Sequence, residues 1–259
     1  TCPSGYRVAN LYYSGAIAPK VVCELNPEFT ITTTRMGAGT EFAFDISAAG
    51  TYTIDWDDGT EATTYTATIP GKIEHKFASA GVHTIRIVGN ATSYTSNTPA
   101  ITFQGNTYVA GLGGSLGAIF GGVAQPYMFQ NTFRSCSNLK KVSDTLFAGI
   151  TGAADYMFYN TFTSCTSLEY IPETLFSDVD GAARYMFSNT FLGCTSLKDI
   201  PANLFSGVSG AANYMFDATF RSCIGLTSVP STLFSGVTGV APYMFRNTFA
   251  SCSGIKSIP

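Results

Sequence analysis

One short pattern returns at a fixed interval through the second half of this chain, and that interval limits the folds open to it more than any other property. Tyr-Met-Phe begins at Tyr127, Tyr156, Tyr185, Tyr214 and Tyr243, always 29 residues apart. Cys136, Cys165, Cys194, Cys223 and Cys252 keep the same step. So do Phe133, Phe162, Phe191, Phe220 and Phe249, and the apolar series Leu139, Leu168, Leu197, Leu226 and Ile255. No insertion breaks the register. A period of this length marks a chain of stacked units, because one unit cannot bury its own apolar face while neighbours in a row can.

The pattern within one copy, residues 151–177, predicts a helix, a turn and a short strand. Thr151 precedes Gly-Ala-Ala, and with its counterparts Asp180, Ser209 and Thr238 it is a good N-cap. Ala154, Phe158 and Phe162 follow at i, i+4 and i+8, with Cys165 three further on, which reads as one apolar helical face. Thr166-Ser167 turns the chain. Leu168-Glu169-Tyr170-Ile171 then reads as a strand ended by Pro172, which cannot donate to a ladder. The five cysteines are expected as a core ladder of buried free thiols: none shows the two-residue spacing of a metal site, and stacked units about 5 Å apart would orient parallel thiols poorly for disulfides.

These residues resemble a known family. Asn-Thr-Phe-x-Ser-Cys-x-x-Leu-x-x-Ile-Pro-x-x-Leu-Phe, at residues 160–176, is similar to the BspA-type leucine-rich repeats of bacterial surface proteins. The resemblance covers residues 127–259. It departs in its longer period of 29 and in Cys223-Ile-Gly-Leu, which alters the Cys-Thr-Ser-Leu turn. It implies an α/β solenoid, and a place in adhesion and host interaction.

Residues 27–104 have a different character. They are rich in Thr, Ile, Val and Tyr with Gly, Asn and Asp between, the composition of an antiparallel β-domain. Alternation puts Tyr52, Ile54 and Trp56 on one strand face, and Asp57-Asp58-Gly59 is a turn signal directly after them. Ile54-Asp-Trp-Asp-Asp-Gly-Thr, followed by His75-Lys-Phe-Ala-Ser-Ala-Gly-Val-His-Thr-Ile, resembles the polycystic-kidney-disease (PKD) type of immunoglobulin-like sandwich, with Asp57 in place of the family's usual aromatic or Gly. The resemblance implies a rigid extracellular spacer. The expected fold is thus mixed: an antiparallel β-sandwich over 27–104, then an α/β leucine-rich-repeat solenoid with 29-residue coils over 127–259. Residues 105–126 read as a connector and degenerate capping coil. Residues 1–26 form an N-terminal segment in which Cys2 and Cys23 are expected to pair in an oxidising compartment.

Charge excludes some functions. The net charge is −3, with six basic and nine acidic side chains in 1–126 and eight of each in 127–259. A nucleic-acid binder needs a concentrated basic face, which this distribution lacks. The longest apolar stretch, residues 109–124, is Gly-rich and too short to span a bilayer, so no membrane insertion is expected. The chain opens at Thr1 without a signal peptide, as a processed form would, and Pro259 falls within a repeat, so further repeats are expected beyond it.

No catalytic constellation emerges, and the chain reads as non-enzymatic with no cofactor. Asp55, Asp57 and Asp58 offer carboxylate oxygens of the kind Ca²⁺ takes, but a turn held by Asp side chains is the simpler reading. His75, His83 and Glu74 lack convincing zinc-ligand spacing. Recognition is expected where the copies differ. The residues inside each predicted strand are Lys140 and Lys141, Glu169 and Tyr170, Lys198 and Asp199, Thr227 and Ser228, Lys256 and Ser257. A second variable row, Gln130, Tyr159, Ser188, Asp217 and Arg246, is expected on the helices. The function expected is a bacterial cell-surface, secreted adhesion module, acting as a monomer on a host or neighbouring-cell surface protein. The alternatives are a carbohydrate-binding module using Tyr170 and Tyr159, and a purely structural stalk.

Overall fold

Apolar and polar side chains alternating over short Thr-, Ile- and Phe-rich runs favour pleated strands with one buried face, and the first half of the chain consists of them. The computed structural model describes residues 6–12, 20–25, 27–67 and 71–258. In chain order the elements are β1 (Tyr6–Tyr12), β2 (Lys20–Leu25), β3 (Glu28–Thr33), β4 (Glu41–Ile46), β5 (Ala49–Asp55), β6 (Thr63–Ala67), β7 (Gly71–Lys76), β8 (Thr84–Ser93), β9 (Ile101–Thr102) and β10 (Val109–Gly114). A helix of five residues, α1 (Leu116–Phe120), and the two-residue strands β11 (Gly122–Val123) and β12 (Ile150–Thr151) complete them.

β1 and β2 pair with each other. A five-stranded sheet runs β10-β3-β8-β5-β6 and a three-stranded sheet runs β7-β4-β9, all pairs antiparallel. Phe29 and Ile31, Tyr52 and Ile54, and Ile85 and Ile87 face inward from the larger sheet; Phe42, Phe44 and Ile46 do so from the smaller. The two buried faces meet through Trp56, whose ring lies 6.4 Å from Phe42 and 6.2 Å from Phe44. Asp57 and Gly59 take positive φ in the turn after β5.

The core does not stop at the end of the sheets. Phe103 stacks on Phe133 at 5.6 Å with parallel rings, and the amides of Ala100, Phe103 and Gly105 donate to the carbonyls of Met128, Thr132 and Arg134. Leu112, Leu116 and Ala124 donate likewise to Lys141, Leu146 and Thr151. The β-domain therefore forms one end of the repeat region, and both halves share a single apolar core.

Within the repeats the structure corrects the expectation of an α/β leucine-rich-repeat solenoid. Among the described residues beyond 125 there is no helix, and the one strand is β12. Where a helix was expected the chain runs as overlapping turns. The amides of Tyr127, Phe129, Asn131, Phe133 and Ser135 donate outward, at 2.7–3.0 Å, to the carbonyls of Asp155, Met157, Tyr159, Thr161 and Thr163 in the next unit. The amides between them, of Met128, Gln130, Thr132, Arg134 and Cys136, close turns onto carbonyls three residues back. Every fourth residue is left-handed: Tyr127, Asn131 and Ser135, then Tyr156, Asn160 and Ser164, and so through the copies.

An α-helix tolerates no such residue in its interior, and sending alternate amides to a neighbour removes the bonds that would hold one. The misleading signal was spacing. Phe158 and Phe162 share a face at i, i+4 in a helix, but a ribbon that repeats every four residues aligns them too. The N-caps are corrected with the helix: Asp180 and Thr238 accept from the amides of Gly152 and Gly210 in the preceding copy. Residues 168–171 form no regular strand, and the backbone bond between units there is a single one, Lys198 N to Glu169 O at 3.3 Å.

Candidate functional site

Each unit is held to the next by columns of like side chains. Phe133, Phe162, Phe191, Phe220 and Phe249 stack at 5.4–5.6 Å with ring planes within 12°. Phe129, Phe158, Phe187, Phe216 and Phe245 form a second column at 5.4–5.7 Å, and Phe147, Phe176, Phe205 and Phe234 a third at 5.8–5.9 Å. Two polar ladders run beside them. Thr161, Thr190, Thr219 and Thr248 donate their hydroxyls to the Phe129, Phe158, Phe187 and Phe216 carbonyls. Cys165, Cys194, Cys223 and Cys252 donate their thiols to Phe133, Phe162, Phe191 and Phe220 carbonyls at 2.9–3.2 Å, while Cys136 reaches Phe103. All five cysteines are buried and free, and burial pushes Cys136 up to about 12 and the others upward too. The expected Cys2–Cys23 disulfide lies outside the described residues.

This frame fixes where the variable side chains stand. Lys140, Lys141, Glu169, Tyr170, Lys198, Asp199, Thr227, Ser228, Lys256 and Ser257 are all exposed. In the first four units they lie between a buried Leu column and a buried Val or Ile column; Ile255 and Ile258 in the last are less covered. Tyr170 is the one large aromatic among the ten, and its hydroxyl approaches Asp144 Oδ1 at 3.4 Å. Burial and the Asp144 carboxylate raise its pKa, so it stays a neutral phenol at neutral pH.

The second row is not the solvent-facing helical surface expected of it. Ser188 and Asp217 are buried, and Gln130 and Tyr159 are half-buried. Asp217 takes a two-pronged contact from Arg246, at 3.1 Å to Nε and 2.6 Å to Nη2. The Arg246 guanidinium also lies 4.9 Å from the Tyr214 ring centre and 5.7 Å from that of Tyr243.

Beside this row stands a feature the sequence reading overlooked. Tyr127, Tyr156, Tyr185, Tyr214 and Tyr243 stack at 4.6–4.9 Å with ring planes within 13°. All five have positive φ, which costs a bulky L-residue roughly 1–2 kcal/mol. A stacked pair returns about 0.5–1.5 kcal/mol, so the four pairs of the column offset part of that strain. The signal was present in the first letter of Tyr-Met-Phe, but an α-helical reading had no place for it.

In the β-domain the three aspartates are engaged by the turn itself. Asp55 accepts from the Asp57 amide at 3.0 Å and Asp57 from the Thr84 amide at 2.8 Å. Asp58 is fully enclosed, with His75 Nε2 at 2.7 Å, the Ala78 amide at 2.8 Å and both the amide and hydroxyl of Thr60 within 3.1 Å. Burial opposes its charge, yet the bonds from His75, Thr60 and Ala78 outweigh it and hold the carboxyl well below the usual range. His75 lies flat on Trp56 at 4.5 Å, and the His83 ring nitrogens face the carbonyls of Asp57 and Ser79. Glu74 turns away to Lys72, so His75, His83 and Glu74 are not brought together. Among the described residues no group of three or more His, Cys, Asp or Glu side chains is placed to hold a metal ion.

The arrangement is that of a β-capped repeat protein with an exposed variable row on an invariant frame. No family model matches the chain. No curated protein and no solved structure matches it either. Among the described residues no helix is long and apolar enough to cross a membrane.

Proposed function

We propose that this chain is a non-enzymatic cell-surface adhesion or protein-interaction module that binds a protein ligand through the row from Lys140 to Ser257. The observation that carries the reading is the exposure of all ten side chains on a backbone whose buried neighbours scarcely change from unit to unit. Such a frame lets recognition residues vary without disturbing the core. The row mixes Lys140, Lys141, Lys198 and Lys256 with Glu169 and Asp199, a pattern suited to a polar protein surface rather than to a polyanion. The surface location rests on the likeness of the Phe-x-x-Cys-x-x-Leu-x-x-Ile pattern to BspA-type repeats and of residues 54–85 to PKD-type domains.

A carbohydrate-binding role is disfavoured by one geometric fact. Sugars pack on open aromatic faces, and the interior tyrosines of the column turn both faces to one another. Tyr159 stands edge-on to Tyr156 at 5.6 Å, leaving Tyr170 as the one exposed aromatic of the row. The test is binding of the purified chain to extracellular-matrix proteins and, in parallel, to a glycan array. The expected result is saturable protein binding weakened at least about tenfold by combined Glu169→Ala, Tyr170→Ala and Lys198→Ala. Saturable glycan binding abolished by Tyr170→Ala alone would reverse the ordering, and no ligand in either arm would favour the stalk.

A further inference from the structure

Oxidants reach sulfur and aromatic side chains according to their exposure, and in this molecule the exposure is uneven. All six methionines, the five cysteines of the repeats and Trp56 are buried. Burial also holds those thiols protonated, the less reactive form. The tyrosine column differs. Tyr127, Tyr156, Tyr185 and Tyr214 are only partly buried, and each keeps part of its surface in solvent.

The column is also more closely packed than its apolar counterparts. Its rings stand 4.6–4.9 Å apart with planes within 13°. The three phenylalanine columns are spaced at 5.4–5.9 Å. Parallel faces at the shorter separation turn the π orbitals of one phenol toward those of the next. The other tyrosines of the repeats are not so disposed. Tyr159 meets Tyr156 at 74° and Tyr185 at 84°, and Tyr170 faces Asp144 rather than another ring. Burial and the neighbouring phenols Tyr185 and Tyr127 raise the pKa of Tyr156, and burial and Tyr214 raise that of Tyr185. Both are neutral at neutral pH, so each sheds a proton when it loses an electron.

We propose that neighbouring tyrosines of this column are a site of oxidative cross-linking, joined as dityrosine by a peroxidase and hydrogen peroxide. Each of two stacked phenols gives up one electron and its hydroxyl proton. The peroxide takes the two electrons and two protons and becomes two waters. The two phenoxyl radicals then form a carbon–carbon bond between ring positions next to the oxygens. The hydrogens on those carbons move to the oxygens as the rings regain aromaticity, so two phenols remain and two hydrogens have been lost. Each such bond ties one unit covalently to the next, 29 residues along the chain. The inference concerns other residues than the variable row and does not depend on what that row binds.

The test is oxidation of the purified chain by a peroxidase with limiting hydrogen peroxide, followed by dityrosine fluorescence and mass spectrometry. Cleavage after Arg134, Arg184, Lys198 and Arg221 places Tyr127, Tyr156, Tyr185 and Tyr214 on separate peptides, so the joined pairs can be read directly. The expected result is a cross-link within monomeric chains between tyrosines one repeat apart. Its yield per chain should not change on about tenfold dilution, because the partners are already held together. Combined Tyr127→Phe, Tyr156→Phe, Tyr185→Phe, Tyr214→Phe and Tyr243→Phe keeps the rings and should lower that yield at least about tenfold, while Tyr170→Phe leaves it intact. The mapping is made on the unsubstituted chain and stands whether or not the variant folds. No dityrosine, cross-links confined to dimers, or coupling through Tyr159 or Tyr170 instead would overturn the proposal.

Discussion

Single positions in the ribbon carry backbone demands that their side chains meet unequally. Asn131, Asn160, Asn189 and Asn247 occupy left-handed positions that Asn tolerates better than other non-Gly residues, but the same slot in the fourth unit holds Ala218, at φ 53°. Ala218→Asn should stabilise the chain by up to about 1 kcal/mol, read as a higher unfolding midpoint in urea; a lower midpoint would refute the strain argument. The buried thiols make a second prediction. In the unfolded chain they ionise near their ordinary value of about 9, and in the folded chain higher, Cys136 near 12. Between those values the folded state holds the extra protons. Their contribution to stability is therefore complete below about pH 9 and is lost as pH rises through the window above it. Tyr94, which burial also pushes up to about 12, acts in the same sense. Chemical denaturation from pH 8 upward should show falling stability, with a shallower slope after Cys165→Ala and Cys194→Ala; an unchanged slope would remove the thiols from the account.

At the scale of elements, the columns set how much each ring matters. Phe187 is fully buried with a ring on either side, and Phe187→Ala should cost roughly 3–5 kcal/mol. Phe245 has one side open, and Phe245→Ala should cost less than half of that; equal losses in equilibrium unfolding would mean the columns do not transmit burial as the stacking implies. The elements also divide by how far they could be read in advance. The strand faces bearing Tyr52, Ile54 and Trp56, the Asp57-Asp58-Gly59 turn and the burial of the five cysteines follow from alternation, turn chemistry and periodicity, and all stand in the structure. The path of the repeat did not. Residues such as Phe158, Phe162 and Cys165 record which positions are buried, but not whether four residues are spanned by a helical turn or by two linked β-turns. The distinguishing mark was the set of Asn, Ser and Gly residues at four-residue steps, which stabilise left-handed turns and weaken helices. The Ser188–Asp217–Arg246 row was misplaced for the same reason.

For the molecule as a whole, the junction at Phe103 decides whether there are two folding units or one. Its ring continues the Phe133 column into the β-domain, where it lies 4.8 Å from Phe44 and 6.0 Å from Phe29. Calorimetry should accordingly show one unfolding transition, and Phe103→Ala should lower it as a whole rather than split it. Two resolved transitions in the unsubstituted chain would show that the halves are merely adjacent. The outward amides of the ribbon all leave in one direction, from each unit toward the one that follows. A stack with such a grain has unlike ends and a single kind of joint between them. Whole units can therefore be gained or lost by exchange between copies in the gene, changing the reach of the molecule while the backbone joint between neighbouring units keeps its form.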